Sequence, residues 1–503
     1  MSKRETFNIE SMETLLTRND DHIRAIKDIN DAHFTEIHYR KKAITITYGC
    51  QMNEHDSEKL NAMLTDMGYD STKKFEEADL IIFNTCCVRE NAEFKVYGNL
   101  GHVKKLKEKK KDLILAVCGC MMQQPHVVTQ IKKKYKYVDL VFGTHNLHNF
   151  PALLEETLKA DKKHQVVEIW ENEGDVIEGL AVTRKKEIKA YVNIMYGCDN
   201  FCAYCIVPYT RGRERSRKPE DILEEIRMLA AAGTKEVMLL GQNVNSFGKK
   251  NDANHSSNSE IVNIADMSTD TGNNVDFADL LAMVNEIEGI ERIRFMTSHP
   301  KDLSQKLIET MAKCEHVCEY LHLPVQAGSN EILKKMNRKY TREQYLDIID
   351  RAKALMPNLG ISTDIILGFP GETEEDFQDT LNLIETVGYD AAFTYLYSIR
   401  TGTPAAKFED QVSEDEKHDR IRRLLEVLNP SITAKMQSMQ DQVVEVLAED
   451  YSKSSREVLM GRTRNNLTVT FEAPAELIGK LVEVKVTRPK NFSLHGEVVR
   501  VIR

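Results

Sequence analysis

Cys198-Asp199-Asn200-Phe201-Cys202-Ala203-Tyr204-Cys205 is the stretch on which the reading of this 503-residue chain turns. Its cysteines follow a CxxxCxxC spacing. Three thiolates that close together can take three corners of a [4Fe–4S] cube and leave the fourth iron without a protein ligand. An iron left open in this way can bind and orient a substrate, which an all-cysteine electron carrier cannot do. The bland alternatives are a zinc site or buried free thiols. Zinc would want a fourth protein ligand nearby, and none is obvious between Tyr191 and Arg217. The triad directly follows a β-rich run at 190–195, which puts it at the carboxyl end of a strand, where barrel active sites lie.

Outward from this motif, β-rich runs at 190–195, 235–241, 291–297, 319–323, 361–367 and 391–397 alternate with amphipathic stretches near 219–232, 276–288, 302–313, 341–356 and 373–387. Six such units predict a partial (βα)6 barrel, two units short of a complete eight-fold one. Upstream, runs at 43–48, 79–85, 112–117 and 138–142 alternate with helical candidates at 53–67, 90–109 and 125–134. That rhythm predicts a parallel sheet covered by helices. Five short Val-rich runs in the last stretch predict a small β-barrel. The chain thus reads as α/β, with a flexible or partly helical extension at 1–40, an N-terminal α/β domain at 42–158 and the partial barrel at 184–414. A helical linker at 415–440 and the β-barrel at 441–503 follow. Residues 249–275, dense in Asn, Ser, Asp and Thr, read as a disordered surface loop without chemistry.

A second set of cysteines is spread more widely. Cys50, Cys86 and Cys120 each follow a strand of the N-terminal domain, and in a parallel sheet those ends line one crevice. Cysteine is also a good small core residue. Against that reading, Tyr48-Gly49-Cys50-Gln51-Met52-Asn53 and Asn84-Thr85-Cys86 are turn-like segments. The three are therefore read as a second iron–sulfur site. Cys86 and Cys87 are adjacent, so they point in opposite directions along a strand end and do not both bind one cluster. Cys87, Cys118, Cys314 and Cys318 are read as packed thiols.

Composition narrows the class. Apolar residues make up 41% and charged residues 29%, enough for substantial cores. No apolar run approaches the ~18 residues that cross a bilayer, and the amino terminus lacks a secretory apolar stretch, so a cytoplasmic protein is expected. The formal net charge of −10 argues against sequence-independent coating of nucleic acid but leaves room for a local basic patch. Ten cysteines without a signal point to metal or redox chemistry and not to a disulfide scaffold.

The CxxxCxxC spacing and the six strand–helix units resemble the radical S-adenosylmethionine (SAM) superfamily. Two cysteine trios followed by a small β-barrel resemble, over roughly residues 42–503, its methylthiotransferases. Within that family the likeness is to the branch acting on isopentenylated adenosine in tRNA. It is carried by Tyr48-Gly49-Cys50-Gln51-Met52-Asn53-Glu54, by Asn84-Thr85-Cys86-Cys87-Val88-Arg89-Glu90-Asn91-Ala92-Glu93, by Val207-Pro208-Tyr209-Thr210-Arg211-Gly212-Arg213-Glu214-Arg215-Ser216-Arg217, and by Gly241-Gln242-Asn243-Val244-Asn245. Cys86 is chosen over Cys87, and Cys120 over Cys118, on this motif match. Gln51-Met52-Asn53 favours this branch over the threonylcarbamoyladenosine branch, and Pro208-Tyr209-Thr210-Arg211-Gly212 disfavours the ribosomal-protein branch. Cys87 and the insertion 249–275 depart from the pattern.

The resemblance implies two [4Fe–4S] clusters, one on Cys198, Cys202 and Cys205 and one on Cys50, Cys86 and Cys120, with no catalytic residue beyond these ligands. It implies that the first cluster chelates SAM and, given one electron, releases a 5′-deoxyadenosyl radical, with Tyr204 near the adenine. A radical suits the task, because the aromatic C–H bond at adenine C2 is too strong and non-acidic for general-base chemistry. A first SAM would methylate sulfur held on the second cluster and another would provide the radical. The product would be 2-methylthioadenosine next to the anticodon. By placement near the carboxyl rim, Gln242, Asn243, Ser298, His299, Gln326 and Asp364 are candidates for holding SAM or the base. His299, before Pro300, is equally readable as a structural histidine. Gly368-Phe369-Pro370-Gly371-Glu372 resembles a family loop near SAM, and otherwise reads as a tight strand–helix connection.

The terminal barrel resembles a TRAM domain, in which Arg462, Arg464, Lys485, Arg488 and Lys490 would form a cationic strip for tRNA phosphates. Lys104–Lys111 reads as a hydrated helix face. Expected partners are tRNA carrying N6-isopentenyladenosine, an electron donor such as flavodoxin or ferredoxin, and a sulfur donor; a monomer without a membrane is expected. The competing readings are a methylthiotransferase for threonylcarbamoylated tRNA or a ribosomal-protein aspartate, and a non-catalytic iron–sulfur RNA-binding sensor.

Overall fold

The computed structural model describes residues 12–87, 90–161, 164–171, 176–178, 188–249, 275–452 and 455–503. These fall into two compact units, one of Met1–Lys185 with Ile206–Arg215, the other of Lys186–Cys205 with Ser216–Arg503. The insertion expected at 249–275 lies outside the described residues except at its two ends.

The first unit is built on a six-stranded, all-parallel sheet in the order Asp70–Ser71, Lys42–Tyr48, Leu80–Thr85, Ile114–Gly119, Leu140–Phe142, Val166–Glu168. Strand alternation sends Leu80, Ile82, Ala116 and Cys118 to one core with Leu60, Met63 and Phe150, and sends Ile81, Phe83, Leu115 and Val117 to another with Val96, Leu100 and Ile131. Both faces are covered, so the strands read as continuous apolar runs. Strand order reverses between Lys42–Tyr48 and Leu80–Thr85, which opens a crevice at their carboxyl ends.

Met12–Ile37, within the extension read as flexible or partly helical, is a helix that contributes Ile26 to the core and anchors through Asn19 Nδ2 to His148 O (2.8 Å) and Asn30 Nδ2 to Met67 O (2.8 Å). Val166–Glu168, beyond the residues expected for the N-terminal domain, adds a strand to the sheet edge, too short to register as a periodic pattern.

In the second unit, Lys189–Asn193, Glu236–Leu240 and Arg292–Phe295 pair in parallel, as do Tyr320–His322, Gly360–Leu367 and Ala391–Leu396. A parallel bridge between Ile293 and Val317 joins the two groups, giving six strands in chain order with an open edge at each end. Helix Glu414–Gln437 gives Leu424, Leu428 and Ile432 to this core and Met436 to the next, so it is shared structure as well as connection. The terminal strands Val443–Ser452, Ser455–Thr463, Thr468–Glu472, Leu494–Val501 and Leu481–Pro489 close into a barrel around Val446, Leu459, Phe471, Val482 and Val484.

One turn of the small barrel closes the amino-terminal mouth of the larger one. Arg294, 2% exposed, donates through Nη2 to Thr463 O (2.7 Å), through Nη1 to Arg464 O (2.9 Å) and through Nε to Glu236 Oε2 (2.9 Å). Arg292 reaches Glu445 Oε1 (2.9 Å), and Arg464 Nη2 donates to Val317 O (2.8 Å). Gly360 opens its strand against this turn: a Cβ there would meet Asn465 O at 2.6 Å.

Candidate functional site

In the first unit, register does the positioning. Tyr48 pairs with Thr85 and Thr85 with Gly119, so three strands end level and deliver Cys50, Cys86 and Cys120 to one rim at the crevice. Asn53, fully buried, braces that rim: its Nδ2 donates to Asn84 Oδ1 (3.2 Å) and Thr85 O (3.3 Å), and its Oδ1 accepts from Cys50 Sγ (3.3 Å). Gly119 must be glycine twice over, for its φ of +96° and because a Cβ would collide with Thr85 O. Cys50 sits at the amino end of helix Gln51–Asp66, where the helix dipole favours a thiolate.

Arg211 supplies the charge. It is 6% exposed and donates through Nε to Cys120 Sγ (3.1 Å) and through Nη2 to Asp56 Oδ2 (2.9 Å). The Cys50 thiol is held below its ordinary pKa, first by its hydrogen bond with Cys86 and then, against burial, by the charge of Arg211. Cys120 is lowered too, first by Cys87 and then by Arg211, while its bond with Cys120 pushes Cys87 up. The adjacent Cys86 and Cys87 do diverge, toward Cys50 and Cys120 respectively, but Cys87 stays at the same rim, with its Sγ 3.6 Å from Thr210 Oγ1. Cys118 lies fully buried in the core.

In the second unit, Cys198, Cys202 and Cys205 occupy the loop after the first barrel strand, with Gly197 at φ +76° and Phe201 at φ +46° shaping it. The loop is tied down by Ala203 N to Met336 O (2.9 Å), Asn337 Nδ2 to Phe201 O (2.9 Å) and Lys301 Nζ to Asn200 Oδ1 (2.8 Å). Asn200 Nδ2 lies 3.5 Å from Cys198 Sγ. Arg338, 4% exposed, spans Cys202 Sγ (3.4 Å), Tyr204 OH (3.3 Å), Tyr340 OH (3.0 Å) and Pro324 O (2.9 Å).

The remaining rim candidates fare differently. Asn243 is engaged with Asp302 Oδ2 (2.8 Å) and the His299 backbone N–H (3.2 Å). His299 accepts from Lys301 N through Nδ1, and burial, with Arg338 nearby, lowers its pKa so that the ring stays neutral. Its Nε2 and Ser298 Oγ are buried without a hydrogen-bond partner among the described residues. Gln242 is partly exposed at the end of its strand. Gln326, at φ +73°, bridges to Ile365 through its backbone. Asp364, partly exposed, stands 3.7 Å from His322 Nε2. The glycine-rich loop after it is locked by Glu372, which accepts from Gly368 N (2.7 Å) and pairs with buried Arg420 (2.6 Å).

Of the five residues expected to face RNA, Arg464 is turned to the larger barrel, as described, and Arg462 bonds Asn466 Oδ1 (3.1 Å). Lys485 and Arg488 are exposed on the strand Leu481–Pro489, and Lys490 is exposed just after it. Asn53 and Arg211 lie in segments that carry the family likeness, but nothing in the sequence assigns them a site role; Asp56 and Asn337-Arg338-Lys339-Tyr340 carry no sequence signal of their own.

Each trio offers clustered thiols beside a buried guanidinium, a donor set that fits an anionic, thiolate-ligated iron–sulfur cube. Among the described residues no group of three or more His, Cys, Asp or Glu side chains is arranged to hold a single metal ion. A four-iron cube spreads its ligands more widely than one ion does. No helix among the described residues is long and apolar enough to cross a membrane.

Three family models match the chain: Radical SAM superfamily over residues 192–384, Uncharacterized protein family UPF0004 over 42–143, and TRAM domain over 437–499. The tRNA-2-methylthio-N(6)-dimethylallyladenosine synthase of Clostridioides difficile (strain 630) is 55% identical over 502 residues, 99% of this chain and 100% of that protein. Proteins of the same name from Alkaliphilus oremlandii (strain OhILAs) and Acetivibrio thermocellus are 56% identical over 460 residues and 53% identical over 502 residues, covering 92% and 99% of this chain and 93% and 100% of theirs.

Proposed function

Since the chain belongs to the family of tRNA-2-methylthio-N(6)-dimethylallyladenosine synthases, we propose that its two cysteine trios would hold two [4Fe–4S] clusters and that the enzyme methylthiolates the isopentenylated adenosine next to the anticodon. The chain is a radical SAM enzyme that uses SAM and a [4Fe–4S] cluster and acts on tRNA. When bound, the clusters and SAM supply the radical, sulfur and methyl group that replacing the C–H bond at adenine C2 requires.

The chain's own residues bind, neutralise and orient. Cys198, Cys202 and Cys205 ligate one cluster, with Arg338 beside Cys202 offsetting negative charge and Lys301 holding the loop through Asn200. Cys50, Cys86 and Cys120 ligate the other, with Arg211 balancing it. Tyr204, Gln242, Ser298, neutral His299, Gln326 and Asp364 line the rim for SAM and the base, while Asn243 braces it through Asp302 and the His299 amide. Lys485, Arg488 and Lys490 track tRNA phosphates. Reduction comes from a flavodoxin or ferredoxin, sulfur from a separate donor, and the enzyme works as a cytoplasmic monomer. The observation that carries the reading is the level ending of three parallel strands, which delivers Cys50, Cys86 and Cys120 to one rim where buried Arg211 bonds Cys120.

The test is anaerobic iron and sulfide quantitation with Mössbauer spectroscopy on wild type, C198A/C202A/C205A and C50A/C86A/C120A. Each triple variant is expected to keep one of two clusters. C86A is expected to lose the N-terminal cluster and C87A to keep it. Unchanged iron in C50A/C86A/C120A overturns the second site. Failure of wild type to yield 5′-deoxyadenosine and methylthiolated nucleoside from SAM, reductant and isopentenylated tRNA overturns the activity.

A further inference from the structure

The inner wall of the larger barrel carries two half-exposed aromatic rings. On its last strand Phe393 is 48% and Tyr395 45% exposed, whereas Ala392 and Leu396 pack toward the core. Register sets Phe393 beside Asp364 and Tyr395 beside Ile366. Side chains alternate across a strand, so these residues share a face with Ser362, opposite to Ile361, Ile365 and Leu367 in the helix-covered core. Ser362 Oγ in turn lies 2.8 Å from His322 Nδ1, and the Phe393 ring stands edge-on to His322 at 6.0 Å. The strand is an edge of the six-stranded wall, so its inner face borders the opening.

An inner barrel face that leaves two large rings half-exposed and sets one carboxylate beside them suits a ligand with a flat aromatic part and an apolar arm. The nucleoside in the relatives' name has that composition: an adenine bearing a five-carbon alkenyl group. We propose that Phe393, with Tyr395 next to it, is the specificity-determining platform against which the N6-dimethylallyl adenine of the tRNA packs. The proposal rests on the reading that the chain modifies isopentenylated tRNA. Phe393 would select the alkylated base over plain adenosine by covering apolar surface that plain adenosine lacks.

The experiment uses the full-length, cluster-loaded protein and two anticodon stem-loop RNAs, identical except for the N6-dimethylallyl group. It reads the ratio of their Kd values and of their kcat/KM for methylthiolation. Wild type is expected to favour the alkylated RNA by about tenfold or more, the scale at which a pocket senses added methylenes. F393A is expected to bring both ratios to within about twofold of unity, F393Q to behave alike, and F393Y to keep the preference. A folding or loading defect lowers turnover of both RNAs and leaves the ratios alone. Wild-type ratios in F393A and F393Q, or no preference in wild type, overturn the platform. Wild type that methylthiolates neither RNA overturns the functional reading, and the platform with it.

Discussion

Arg211 donates through Nε to Cys120 Sγ at 3.1 Å across a sequence separation of 91 residues. Its other arm holds Asp56, so one buried cation answers both a thiol and a carboxylate. Buried charges persist only when paired in this way.

Removing that cation is expected to unbalance the rim. R211A strands Asp56 without its partner, at a cost of about 3–5 kcal/mol, read as a lower denaturant midpoint of the first unit. Iron at the proposed Cys50, Cys86 and Cys120 site is expected to fall with it, measured in the C198A/C202A/C205A background. R211K restores charge without the two-armed geometry and is expected to recover only part of the iron. Full iron in R211A would show the guanidinium to be dispensable.

Arg338 holds the corresponding place in the other trio. In a C50A/C86A/C120A background, R338A is expected to lower iron and visible absorbance, because Cys202, Tyr204, Tyr340 and Pro324 O lose a common donor. Undiminished iron would assign Arg338 to fold stability alone.

The small barrel demands point variants in place of truncation. Deleting 441–503 would uncover Arg292 and Arg294, which are 0% and 2% exposed, and leave the Arg294–Glu236 pair open to solvent, so the fold itself is expected to suffer. K485A/R488A/K490A leaves that junction alone. It is expected to weaken tRNA binding and to flatten the salt dependence by about one unit of slope for each phosphate no longer neutralised, with the Tm unchanged. Affinity and slope equal to wild type would place the RNA elsewhere.

His148 predicts acid sensitivity of the first unit. Burial holds its pKa at about 4, from an ordinary 6.5, with Arg18 and Lys59 lowering it further and Glu168 opposing them. Between these values the unfolded chain binds the proton that the folded chain refuses. Stability is therefore full above pH about 6.5 and is lost as pH falls toward about 4, by at most about 3 kcal/mol. Denaturant midpoints from pH 7.5 to 4.5 are expected to fall less steeply for H148N than for wild type. Parallel slopes would exclude the histidine.

What could be read from sequence was whatever is local or periodic. Val192 and Leu239 declare their strands by alternation, and Cys198, Cys202 and Cys205 lie within eight residues, so their spacing alone carries the proposed ligand set. Cys50, Cys86 and Cys120 could be grouped because parallel strands share a rim. Few apolar residues mark the helix Met12–Ile37, so periodicity left that stretch readable as flexible or partly helical. Tertiary structure alone decided which cations answer the thiols, that Arg464 turns to Val317 and not outward, and that Cys87 stays within reach of Cys120. The physical reason is range: backbone periodicity and ligand spacing act over a few residues, while the partner of a buried charge is whichever distant side chain the topology carries within about 3 Å.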